Sequence, residues 1–208
     1  MTHTITTAAL GAWLADYARV VSENAAYLTD LDRQIGDADH GSNMDRGMKA
    51  VADLNPADFD TPQAYLKKAG MTLVSTVGGA SGPLYGTLFV RMAGALPENP
   101  DEQGFGVALR AGLDGLIARG KAELGDKTMV DAMTPAVEAY EGALAEGADF
   151  AEALREAAQG AATGRDETIP MVARKGRASY LGERSADHMD PGSASLTMLL
   201  ESAARALP

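Results

Sequence analysis

Apolar residues recur along the chain at three- and four-residue steps, the spacing that lines one face of an α-helix. Leu10, Trp13, Leu14, Tyr17, Val21, Ala25 and Leu28 predict one long helix near the start. Tyr65, Leu66, Ala69, Leu73 and Val77 predict another behind Thr61 and Pro62, a cap followed by a first-turn proline. Phe105, Leu109, Leu113 and Ile117 mark a third, and Met129, Met133, Val137, Tyr140 and Leu144 a longer one. Phe150 and Leu154, then Leu196, Leu199, Leu200, Ala203 and Leu207, complete the clear cases. Strand-like alternation is nearly missing: residues 85–90 tolerate an extended form but suit a buried helix equally well. The pattern predicts seven to nine helices and no sheet. No tract of Pro, Gly and Ser is long enough for a linker and no repeat appears, so residues 1–208 are expected to form one all-α domain of helix packed on helix.

Composition narrows what such a domain can do. With 46% hydrophobic and 23% charged residues it is an ordinary globular chain. Cysteine is absent, which removes disulfides, zinc–thiolate sites and thiol nucleophiles, and fits a reducing cytoplasm. The start at Met1, Thr2 and His3 lacks the basic and apolar regions of a signal peptide, and no apolar run reaches membrane-spanning length. A soluble, cytoplasmic protein is therefore expected. The formal net charge of −11 argues against nucleic acid as a partner, because phosphate-neutralising Lys and Arg are too few. A small phosphorylated ligand stays open only through bridging metal ions or a locally basic loop.

Four segments between the predicted helices are richer in chemistry than connectors need: residues 30–43, 78–83, 120–127 and 174–192. In an up-and-down bundle, alternate loops gather at one end and can build a single site. In the first, Asp30, Asp32, Asp37 and Asp39 place four carboxylates in ten positions. Carboxylates this close repel unless a cation offsets them, and hard oxygen donors favour magnesium, manganese or calcium. An EF-hand does not fit: counted from Asp37, Gly41 falls one place early and Met48 stands where glutamate is required. A solvated acidic turn is the plain alternative.

Gly78, Gly79 and Gly82 let backbone amides approach a phosphate or a ring, and a helix starting near Pro83 would add its N-terminal dipole. A tight turn between helices explains them as well. Arg174, Lys175, Arg177 and Arg184 form the densest basic stretch, suited to clamping phosphoryl oxygens, and Asp190, Pro191 and Gly192 form a rigid turn before the last helix. Lys121 and Lys127 make a second basic loop; for both loops, solvated surface is the alternative. Three other motifs fail. Residues 115–122 resemble a phosphate loop, but Ala122 lacks the metal-binding hydroxyl and a helix rather than a strand precedes it. Residues 79–83 are not a Gly-x-Ser-x-Gly elbow. His3, His40 and His188 are too few and wrongly spaced for a zinc protease.

Together, residues 31–44, 78–87, 119–123, 125–129, 173–185 and 190–192 resemble the motif blocks of the L subunit of dihydroxyacetone kinases, in that family's order and over nearly the whole chain. The resemblance implies a closed barrel of about eight antiparallel helices holding ADP or ATP and two Mg2+ ions at one end. It implies Asp32, Asp37 and Asp39 as the magnesium ligands, with Asp30 outside the set. It implies nucleotide contacts at His40, Gly41, Ser42, Asn43, Ala80, Ser81, Gly120, Met129, Arg177, Asp190, Pro191 and Gly192, with Arg177 also assisting transfer.

In the family's bacterial form the nucleotide stays bound. A phosphohistidine carrier, the M subunit of a phosphotransferase system, phosphorylates ADP in place. The γ-phosphate then passes to dihydroxyacetone held covalently on a separate K subunit. Two other readings remain: an ATP-exchanging kinase for another ketose such as erythrulose, and a nucleotide-dependent regulatory adaptor. A homodimer is compatible with the sequence.

Overall fold

Side-chain caps decide where most of the helices begin. Thr6, Thr61, Asp101, Thr128, Asp149 and Asp190 each accept a backbone amide of the turn that follows, which satisfies a donor the helix itself cannot. The computed structural model describes residues 4–207; the residues 1–3 considered above for targeting, and Pro208, lie outside them. Nine α-helices follow in order among the described residues: α1 (Thr7–Glu23), α2 (Ala25–Ile35), α3 (His40–Ala52), α4 (Pro62–Thr76), α5 (Ser81–Ala95), α6 (Glu102–Gly120), α7 (Met129–Ala145), α8 (Phe150–Glu167) and α9 (Pro191–Ala206). Two 3-10 segments, Pro56–Asp58 and Arg177–Ser185, complete the elements, and no strand occurs among the described residues.

Eight of the helices close a ring. α1 packs on α3, each helix from α3 to α8 packs on the next in order, and α9 returns to α1. The closing contact is antiparallel, because the Trp13 indole N–H donates to the Leu199 carbonyl at 2.9 Å and the Tyr17 hydroxyl to the Ser195 carbonyl at 3.1 Å. The remaining helix, α2, lies against α3 and α9. The all-α domain read from the periodicity, and the closed ring of about eight helices that the resemblance implies, are therefore present.

An aromatic chain fills the ring. Trp13 meets Phe89 and Phe105 edge-on at 6.0 and 5.7 Å, and Phe105 continues to Tyr140 and Phe150. Trp13→Ala is expected to cost about 3–5 kcal/mol, lowering the melting temperature by roughly 10 °C for a domain of this size. Thermal denaturation followed by circular dichroism checks this, and a shift of under about 2 °C would mean the ring does not depend on its aromatic centre. On the far side, α7 and α8 approach so closely that a Cβ at Gly164 would lie 2.1 Å from the Asp131 carbonyl oxygen.

Two expectations are corrected. The single N-terminal helix is broken at Asn24, whose amide bonds the Val20 and Val21 carbonyls and whose side chain bonds Val20 O again at 2.8 Å. The apolar spacing runs unchanged through this break, so periodicity could not reveal it. Beyond it Leu28 leaves the main core and packs with Leu31 and Ala194. The acidic segment, taken as a loop over residues 30–43, is mostly helix: only residues 36–39 separate α2 from α3. Leu31 and Ile35, which interleave the acids, are one helical turn apart on the buried face of α2.

Candidate nucleotide and metal site

Helix ends meet around one cavity of about 520 Å³. Its wall is built from the end of α2, the starts of α3, α5, α7 and α9, the end of α6, and the segment at residues 175–178.

Asp32, Asp37 and Asp39 each bring one carboxylate oxygen to within 4.8 Å of the other two. Asp32, on the last turn of α2, is buried and accepts the amides of Asp39 and His40 at 2.8 and 3.1 Å. That bracing folds residues 36–39 back over the helix end. The turn needs a glycine at its first position, because a Cβ at Gly36 would meet Asp32 Oδ1 at 2.0 Å. Asp37 is exposed and pairs with the Arg177 guanidinium at 3.0 Å, while Asp39 is half-buried. Asp30 turns elsewhere, pairing with Arg33 on the solvent side of α2. Three hard oxygen donors, with neither sulfur nor imidazole among them, fit magnesium in its usual manner of a few carboxylates completed by phosphate and water.

His40 opens α3 and joins the acidic turn to the core. Its Nδ1 lies 3.0 Å from Ser81 Oγ and its Nε2 2.9 Å from Ser195 Oγ, which itself meets the Tyr85 hydroxyl at 2.7 Å. Burial pushes the imidazole down to about 4 against the opposing pull of Asp32 and Asp39, so the ring is neutral near pH 7 and fixes Ser81 by hydrogen bonding rather than charge. Gly79, at φ +64°, turns the chain into α5, whose first residue is Ser81, two positions earlier than the Pro83 start expected. Ile35, Leu84, Leu116, Met129 and Val130 give the cavity an apolar side that can take a flat ring, and Arg119, Lys175 and Arg177 give it a basic one. Asp190 caps α9 by accepting Ser193 N at 2.6 Å; burial pushes its carboxyl up to about 6, against the Ser193 bonds and the charge of Lys127.

Of the residues singled out in the sequence, Asp32, Asp37, Asp39, His40, Ala80, Ser81, Gly120, Met129, Arg177, Asp190, Pro191 and Gly192 all line this cavity. Gly41, Ser42 and Asn43 follow His40 in the first turn of α3 and do not line the cavity, Ser42 being exposed. Gly41 lets α3 touch α2, since a Cβ there would reach Ala25 O at 1.9 Å, and Asn43 accepts from Arg46. Pro191 and Gly192 belong to the first turn of α9 and not to a separate turn. The second basic loop is corrected as well. Lys121 is exposed, but Lys127 is 2% exposed, its ammonium surrounded by backbone carbonyls. Sequence reasoning also passed over Asp131, which accepts the amides of Gly125 and Thr128 and closes a capping box at the start of α7. The Thr-x-x-Asp spacing from Thr128 to Asp131 was the available signal.

The family model described as the DAK2 domain matches residues 34–205. The ADP-binding subunit DhaL of the PEP-dependent dihydroxyacetone kinase of Escherichia coli K12 is 47% identical over 193 residues, covering 91% of each chain. The corresponding subunit of kinase 1 from Listeria innocua is 45% identical over 192 residues, covering 90% of each. Among solved structures, the dihydroxyacetone kinase of C. freundii in complex with AMP-PNP and Mg2+ superposes with a TM-score of 0.69 at 29% identity over 95% of this chain. Its native form gives 0.72 at 26% identity. The present chain spans about a third of those two kinases, 34% of each. Agreement in both sequence and helical ring over nearly the full length shows that the chain belongs to the DAK2 domain family, beside the ADP-binding subunits of PEP-dependent dihydroxyacetone kinases.

Proposed function

We propose that this chain is the nucleotide-carrying subunit of a dihydroxyacetone kinase: ADP held in the cavity is phosphorylated by a phosphohistidine carrier, the M subunit, and the γ-phosphoryl group passes to dihydroxyacetone on a separate K subunit. The observation that carries the reading is the convergence of Asp32, Asp37 and Asp39 on a cavity that Arg177 faces, in a chain aligned over nine-tenths of its length with ADP-binding subunits.

On this reading Asp32, Asp37 and Asp39 hold two Mg2+ ions together with the nucleotide phosphates. Magnesium there supplies charge neutralisation of the phosphates and a fixed template for in-line transfer. The chain's own residues do the rest. Asp32 braces the acidic turn through the Asp39 and His40 amides. Ser81, fixed by neutral His40, offers its hydroxyl and the first-turn amides of α5 to an anion. Leu84, Leu116 and Met129 cover the base and exclude water from it. Arg177 sets a positive charge opposite the carboxylates, where negative charge shifts during transfer. No helix among the described residues is long and apolar enough to cross a membrane, and the proposed partners assign the chain to the cytoplasm.

The test is mass analysis of nucleotide released when the purified protein is denatured, with magnesium quantified alongside. About one equivalent of ADP with magnesium is expected for a subunit that keeps its nucleotide bound. An empty protein that binds ATP reversibly would favour an exchanging kinase, and one that binds neither would overturn the assignment.

A further inference from the structure

The segment joining α8 to α9 carries Arg177, yet almost nothing apolar holds it. Of residues 169–187 only Ala173 and Ser185 are buried. Its position is set by hydrogen bonds, and these converge on Lys127. The Lys127 Nζ donates to the carbonyls of Ile169 at 3.3 Å, Met171 at 2.9 Å and Ser185 at 2.5 Å. The first two lie on the limb entering the basic segment and the third on the limb leaving it.

Further bonds lock the same junction. Ser185 Oγ accepts the Ala173 amide at 2.8 Å and donates to Gly182 O at 2.6 Å. Asp187 N donates to Ile169 O at 2.8 Å, and Arg174 N donates to Asp126 O at 3.0 Å. The base of the strap is firm, because Thr128 beside it opens α7 with a capping box. Three donors on a compact ammonium match three converging carbonyls in a way that a planar guanidinium cannot. Bonds from a charged donor are roughly twice as strong as neutral ones. Burial draws the lysine below its ordinary pKa, while Asp190 and Asp187 favour its charged form.

We infer that Lys127 is a positioning residue for phosphoryl transfer: its ammonium ties both limbs of the basic segment to the start of α7 and so holds Arg177 over the aspartates. The inference rests on the function proposed above. It predicts that removing the ammonium damages the reaction through Arg177 and not through nucleotide binding.

The test is a double-mutant cycle in the kinase reconstituted with its dihydroxyacetone-holding and phosphohistidine-carrying subunits. Lys127→Met is expected to lower kcat about 10- to 30-fold while the Kd for ADP with magnesium stays within about threefold. In an Arg177→Ala background the same substitution should cost less than about twofold, because the residue it positions is already gone. Trypsin should also cut after Arg174 and Lys175 faster in Lys127→Met than in the parent. Equal losses in both backgrounds, or an unchanged kcat, would overturn the inference. If Lys127→Met does not fold, Ser185→Ala, which cuts the bond from Ala173, enters the same cycle with the same expected non-additivity. A parent protein that binds no nucleotide would instead overturn the proposed function, so the two failures are distinguishable.

Discussion

Asp37→Ala is expected to leave a folded, helical protein that no longer retains nucleotide in a magnesium-dependent way. Each of the three aspartates gives one oxygen to the cluster, but they differ in what else they do. Asp32 accepts two backbone amides, so removing it would orphan both and disturb the turn itself, at about 1–3 kcal/mol for each buried group. Asp37 has no such duty. Among the described residues it pairs only with the exposed Arg177 guanidinium, and an exposed pair of this kind contributes little to stability. Loss of Asp37 should therefore act on the ligand alone, weakening magnesium and the nucleotide it bridges by about 100-fold or more. Calorimetric titration with ADP, with and without magnesium, reads this directly. An unchanged affinity in both conditions would remove the aspartate turn from the site.

Arg177→Ala is expected to separate binding from chemistry. The guanidinium stands at the cavity mouth with its side chain 67% exposed, which makes it a weak anchor for the ground state. A fixed charge matters most where charge moves, so the rate of transfer should fall by about 100- to 1,000-fold while the Kd for nucleotide changes by about threefold or less. Melting temperature should hardly move. Single-turnover transfer measured beside equilibrium binding decides the point; parallel losses in both would make Arg177 a binding residue only.

Much of this site could be seen in the chain before any coordinates. Asp30, Asp32, Asp37 and Asp39 stand close enough in sequence to raise a cation beside the plain acidic turn, the family resemblance narrowed the four to Asp32, Asp37 and Asp39, and glycines on either side implied a shaped turn. Of the residues that the resemblance added, Met129 and Gly120 line the same cavity, whereas Gly41, Ser42 and Asn43 do not. What escaped notice did so for physical reasons. The break at Asn24 leaves the apolar spacing untouched, and hydrogen bonding to the preceding turn, not loss of pattern, ends the helix. Lys127 looks in sequence like its exposed neighbour Lys121, and only tertiary contacts with Ile169, Met171 and Ser185, more than forty positions away, distinguish them. Ser195, which steadies His40, lies in a run of small residues with no local mark of its role. Local pattern reports on neighbours three or four residues apart, whereas a site made from helix ends depends on partners across the ring.

The antiparallel seam between α1 and α9 also fixes an order of assembly. During synthesis every other helix of the ring leaves the ribosome before α9, yet Trp13 and Tyr17 find their hydrogen-bond acceptors only on α9. The loop closed by that seam spans nearly the whole chain, so its entropy must be overcome late and the growing polypeptide holds an open arc of helices until then. Because α9 also supplies Asp190 to the cavity and Ser195 to His40, the nucleotide pocket comes into being with that closing step. A nascent chain short of α9 thus has no complete pocket with which to capture nucleotide, and acquisition of the ligand waits for that helix.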